Sequence, residues 1–196
     1  MMKKIVIIPG VGLFHDEVPD RYLFKLIEKE LPDYEFDWFN WKHVMEIPKT
    51  TLSYCSMREW VCEVLLDFQM IIKHALNIKV PEADYYIGHS AGSILTLLQN
   101  RPSVICGSPA VLVENVQGVD PVDCLLSSDA VYNIIHKRDL LAYSFPMPTV
   151  ENEIVDTDWW KLSNYEPLSA HTSYFQDEKL CNKIINKIKE WDRDGI

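Results

Sequence analysis

Residues 85–98 read Tyr-Tyr-Ile-Gly-His-Ser-Ala-Gly-Ser-Ile-Leu-Thr-Leu-Leu: a short apolar stretch, a glycine-bounded serine, then an amphipathic stretch. The centre, Gly88-His89-Ser90-Ala91-Gly92, demands a strand, a sharp turn and a helix in succession. A serine on such a turn sits in a strained backbone conformation. Glycines two before and two after let the chain pass closely without Cβ clashes. The turn lifts Oγ above the end of a sheet and aims the Ala91 N–H at any oxyanion formed there. The helix N-terminus adds positive potential. A plain strand-to-helix turn with a small serine satisfies the same spacing, so the rest of the chain must supply the chemical partners.

The pentad resembles the nucleophile elbow of the α/β-hydrolase superfamily. That resemblance implies a second oxyanion donor early in the chain, then an acid and a histidine in the order Ser, Asp, His. The start of the chain fits. Met2 to Gly12 is a continuous apolar run ending in Pro9-Gly10-Val11-Gly12, and a run apolar on both faces suits a central parallel strand. Superfamily members often end this strand in His-Gly and take the second oxyanion N–H from the following residue. Here the pair is Pro9-Gly10, so the resemblance makes Val11 the donor. Because the backbone does this work, proline in place of histidine leaves the role intact. An ordinary glycine-rich loop or a phosphate loop is the rival. The spacing gives no G-x-G-x-x-G and no G-K-[ST], which disfavours a nucleotide site.

The acid is read from Val131 to Ile135, a strand running into a polar turn that holds Asp139. By resemblance Asp139 orients the histidine, although a solvated turn aspartate is common after a strand. Asp156 and Asp158 compete for the role, Asp123 less so. The base is His171, the single histidine after Asp139. It should follow one more strand (150–155) and precede a final helix (176–191). In many relatives the histidine closely follows the last strand. The longer separation here keeps Asp156 and Asp158 in contention. By the triad logic, Ser90 attacks a carbonyl, His171 moves the proton, and Asp139 fixes the imidazole tautomer.

The remaining pattern predicts a three-layer α/β/α fold with a mostly parallel sheet of about six strands. That is a minimal hydrolase fold with little or no cap, in one domain over residues 1–196. Helices are expected over 19–31 and 57–76, and a second strand over Tyr34–Trp38. A fourth strand is expected over 102–106. Residues 110–129 lack periodicity and read as a loop with a short helix. Five of the seven glycines (10, 12, 88, 92, 107) fall at expected strand ends, which favours one shared site there.

Charge and cysteine usage exclude several classes. A net charge of −10 repels nucleic acid and anionic membrane. Five cysteines without C-x-x-C read as reduced thiols, with no metal site and no cofactor. No apolar stretch approaches about 18 residues, so no membrane span is expected, and the N-terminal run is too short for a signal peptide. The expected location is cytoplasmic.

Substrate contacts are expected from Gly10, Gly12, His15, His89, Trp159 and Trp160. A lone loop histidine such as His15 also reads as a surface residue. The aromatics Trp38, Phe39, Trp41, Trp159 and Trp160 either wall an apolar pocket or pack at the core edge. The resulting expectation is a serine hydrolase acting on a small carboxylic ester or thioester. An amidase, peptidase or acyltransferase shares the same triad. The rival from another class is a hydrolase-fold binding module with little or no turnover.

Overall fold

Alternation along strand β1 (Lys3–Ile8) sets the layers. A strand points successive side chains to opposite faces. Ile5 and Ile7 therefore enter one apolar cluster and Val6 and Ile8 another, all four fully buried. The computed structural model describes residues 2–10, 21–41, 77–109, 130–139, 142, 150–157 and 170–196.

Five further strands flank β1 or extend the sheet: β2 (Tyr34–Trp38), β3 (Tyr85–His89), β4 (Ser103–Cys106), β5 (Val131–His136) and β6 (Glu151–Val155). Their order is β2-β1-β3-β4-β5-β6, and every neighbouring pair is parallel. Helices α1 (Tyr22–Glu30) and α3 (Glu178–Asp194) cover the face that carries Ile5, Ile7, Tyr85, Ile87, Val104 and Ile134. Helix α2 (Gly92–Leu97) covers the other face, where Ile94 and Leu95 meet Val6, Ile8 and Tyr86. The chain is thus an α/β fold of three layers around a six-stranded parallel sheet.

This strand order has a switch point. From β1 the chain crosses through α1 on one face, and from β3 it crosses through α2 on the other. The crevice between two adjacent strands whose connections diverge is where open α/β sheets bind ligands. Ile8 pairs with Gly88, so the carboxyl ends of β1 and β3 open side by side. Helix α2 begins hard against β1. A Cβ at Gly92 would collide with the Ile8 carbonyl oxygen and lie 2.6 Å from that of Pro9, so only glycine permits this approach.

The last helix starts and ends later than its apolar pattern suggests. Asp177 caps it, accepting from the N–H groups of Lys179 and Leu180 at 2.9 and 3.2 Å. Gly195, at φ 76°, closes it in the left-handed conformation. The aromatics at the end of β2 and just after it take the core-edge reading. Trp41 is fully buried and donates its indole N–H to the Pro9 carbonyl at 2.8 Å. Trp38 packs edge-on against Phe24 and Phe175. The expected helix over 57–76 and the 110–129 segment lie outside the described residues, as do Val11, Gly12, His15, Trp159 and Trp160. Among the described residues no helix is long and apolar enough to cross a membrane.

Candidate active site

Strand β3 delivers His89 and then turns at Ser90, whose φ is 52°. Serine rarely occupies this left-handed region, and holding it there costs about 1–3 kcal/mol. Three contacts hold the turn. The Ser90 N–H donates to the Cys106 carbonyl at 2.9 Å. The Ser93 hydroxyl donates to the Ser90 carbonyl at 2.5 Å and lies 2.7 Å from the Ser108 hydroxyl. Ala91, fully buried, caps α2, which places its N–H beside Ser90.

His171 comes from the other end of the chain. Residues 170–172 are helical and run into a 3-10 turn at Ser173–Phe175, ahead of α3. His171 Nε2 lies 2.8 Å from Ser90 Oγ, and its Nδ1 lies 2.9 Å from Asp139 Oδ2. A carboxylate accepts, so the network puts the proton on Nδ1 and leaves Nε2 to accept from the serine hydroxyl.

Asp139 follows β5 in a turn closed by its own N–H donating to the His136 carbonyl at 2.9 Å. Its carboxylate is fully shielded from solvent. Oδ2 accepts a second hydrogen bond, from the Tyr174 hydroxyl at 2.9 Å, and Oδ1 accepts from the Ala142 N–H at 3.3 Å. The Tyr174 oxygen in turn accepts from the His136 N–H at 2.8 Å. Burial alone pushes a carboxyl up. The positive character of His171 and the hydrogen bonds from His171 and Tyr174 outweigh it and hold Asp139 below the ordinary aspartate value.

Gly107 makes room for this cluster. It sits at φ 58°, and a Cβ there would come within 2.8 Å of both Asp139 Oδ2 and the Tyr174 ring. The rival acid Asp156 is turned away. Its side chain is 49% exposed and pairs with Lys137 at 3.3 Å and Arg138 at 3.9 Å. Asp123 and Asp158 lie outside the described residues.

His89, expected among the substrate contacts, is buried and donates from Nε2 to the backbone carbonyl of His171 at 2.6 Å. Its ring packs against His171, Tyr174 and Phe175, with centroids 5.0, 5.5 and 5.6 Å away. Burial, reinforced by repulsion from His171, pushes its pKa down to about 3, so the ring is neutral. With its proton on Nε2, Nδ1 is an acceptor, and it has no partner among the described residues. That nitrogen faces Gly10, where a Cβ would lie 3.2 Å from it and 2.6 Å from Ser90 Cβ. Gly10 thus abuts Ser90. Among the described residues no group of three His, Cys, Asp or Glu side chains gathers in a form that suits a metal ion.

No protein-family model matches the chain, and no curated protein does. A solved structure that it is similar to is the esterase domain of a Rhodothermus marinus protein. The two are 10% identical, the match covers 98% of this chain and 87% of that one, and the TM-score is 0.46. A superposition at that level carries no argument about chemistry, which is left to the side chains themselves.

Tyr174 is the residue that sequence reasoning missed, and it belongs to no motif. Tyr174 stands three positions after His171, a spacing that becomes informative only once that segment is known to be helical.

Proposed function

We propose that this protein is a serine hydrolase that cleaves a carboxylic ester or thioester through an acyl-enzyme on Ser90. One observation carries the reading. A serine held at φ 52° on a strand-to-helix turn lies 2.8 Å from His171 Nε2, whose Nδ1 is held by a fully shielded carboxylate. The alignment gives each group a role.

Ser90 Oγ bonds to the substrate carbonyl carbon while its proton passes to His171 Nε2. Asp139, already ionised, stabilises the imidazolium that results. The carbonyl oxygen becomes an oxyanion and meets the Ala91 N–H. By resemblance Val11 supplies the second N–H, and one such donor is worth about 3–4 kcal/mol elsewhere. The carbon–oxygen or carbon–sulfur bond then breaks, and the departing alcohol or thiol takes the proton from Nε2. Water enters, gives its proton to Nε2, and attacks the acyl carbon. Ser90 leaves with that proton and the acid is released. Gly10, Gly12, His15, Trp159 and Trp160 are proposed to border the substrate.

The test is labelling and turnover side by side. A fluorophosphonate probe should label the wild type and leave Ser90→Ala unmarked. A p-nitrophenyl ester series from acetate to decanoate should show Ser90-dependent hydrolysis, and its optimum would size the pocket. Labelling that survives Ser90→Ala would overturn the assignment.

A further inference from the structure

We propose that Arg21 binds an anionic group, a carboxylate or a phosphate, carried by the substrate in addition to the bond that is cleaved. This rests on the hydrolase reading of the site.

Arg21 is the N-cap residue of α1, and β1 leads into that helix, so it stands at the carboxyl end of the sheet with Ser90. It is only 8% exposed, and its Nε is buried with no partner among the described residues. The first turn of α1 contains no acid. Guanidinium does not give up its proton in a protein, so burial leaves a charge in place rather than removing it. A buried N–H without an acceptor is unfavourable, the more so on a cation.

Among the described residues, another buried cation is treated differently. Lys187 is held by Glu151 at 2.7 Å and Glu190 at 2.8 Å. With 29 acidic against 19 basic residues, partners are plentiful in this chain. Arg21 nonetheless faces none of the described ones.

Its position connects it to the catalytic groups. Phe24, one helical turn on, packs edge-on against Trp38 at 5.5 Å. Trp38 packs on Phe175 at 6.2 Å, and Phe175 on His89 at 5.6 Å. The Arg21 charge is felt at the His89 ring, which adjoins Ser90. A planar guanidinium matches a carboxylate or phosphate through two parallel hydrogen bonds. The N-terminus of α1 adds potential of the same sign. The matching substrate is therefore an ester whose acyl or leaving portion ends in an acidic group.

Two measurements test this. The first compares the 4-nitrophenyl half-ester of adipic acid with its terminal-amide analogue. In Arg21→Gln, kcat/KM for the anionic ester should fall about 10- to 100-fold, the worth of a charge-assisted pair. The neutral ester should change by less than about twofold over the same comparison. Equal losses on both esters would overturn the proposal.

The second is calorimetric titration of Ser90→Ala with adipate and with inorganic phosphate, repeated in Ser90→Ala with Arg21→Gln. Arg21-dependent heat with adipate identifies the carboxylate class, and with phosphate the phosphate class. No Arg21-dependent heat from either would overturn the inference. Turnover of neither ester by the wild type would count against the hydrolase reading alone, and the titration would still decide on Arg21. Thermal unfolding guards against a partner within the chain, such as Asp16, Glu17 or Asp20. Removing an unpaired buried charge in Arg21→Met should raise the ligand-free Tm by about 2–4 °C. A lower Tm would reveal an internal ion pair and sink the proposal.

Discussion

His89 and His171 stand with their ring centroids 5.0 Å apart, both buried at the carboxyl edge of the sheet, and they are set to opposite tasks. His171 has a carboxylate behind one nitrogen and a hydroxyl before the other. His89 has a backbone carbonyl on one nitrogen and, among the described residues, nothing on the other. The difference lies in what each nitrogen meets. A carboxylate on Nδ1 fixes the tautomer that leaves Nε2 to accept from a hydroxyl. A carbonyl with burial all round forbids the imidazolium and makes a neutral strut that holds its neighbour's backbone.

The sharpest way to break this contrast is to remove the carboxylate. Asp139→Asn should lower kcat about 10,000-fold with little change in KM, because the amide favours the wrong imidazole tautomer. Steady-state kinetics on whichever ester is turned over will show it. A near-wild-type rate would transfer the acid's role to a residue such as Asp158.

Next in size is the strut. The folded His89 ring has a pKa near 3, against about 6.5 for an unfolded histidine. Between those values the unfolded chain binds the proton and the folded chain does not, so stability falls as pH drops below about 6.5. At pH 5 this costs about 2 kcal/mol relative to neutral pH. His89→Phe should flatten that acid limb in denaturant titrations. At neutral pH it should destabilise by about 1–3 kcal/mol, because the His171 carbonyl loses its donor. An unchanged acid limb would show that the ring is not the neutral strut described.

The smallest effect belongs to Tyr174. Tyr174→Phe deletes one of the hydrogen bonds that hold Asp139 low, so kcat should drop about tenfold with KM unmoved. The stability that Asp139 contributes is fully present above about pH 4 and is lost as pH falls through its lowered folded value. In Tyr174→Phe that contribution should be smaller, and its loss should be complete at a higher pH. An acid limb superimposable on the wild type would make Tyr174 a packing residue only.

Much of this was legible in the chain because it is local. The run at Ile5–Ile8 and the alternation at Tyr34–Trp38 report burial on two faces and on one, and both strands lie where those patterns put them. Ser90 and its glycines are a turn written in consecutive residues. His171 was readable for a different reason, being the single histidine late enough in the order. Asp139 was readable by resemblance, as the acid in the turn after the 131–135 strand, but Asp156 stayed in contention because it too follows a strand. The contact of Asp139 with His171 and the pairing of Asp156 with Lys137 and Arg138 separate them. The strut role of His89 and the second bond from Tyr174 depend on groups that are 82 and 35 residues distant in the chain. No periodicity encodes such meetings. Trp41 stayed open between pocket wall and core edge for a related reason: an aromatic just past a strand looks alike from sequence whether it lines a cleft or plugs one.

Two residues other than glycine adopt positive φ among those described, Ser90 at 52° and Asn100 at 50°. Asparagine tolerates that conformation; serine gains nothing from it. A chain shaped by foldability alone would carry glycine at position 90 and be the sturdier for it. The hydroxyl is therefore a standing debt in the folded state, and Ser90→Gly, inert and more heat-resistant, would show what the protein forgoes to keep it.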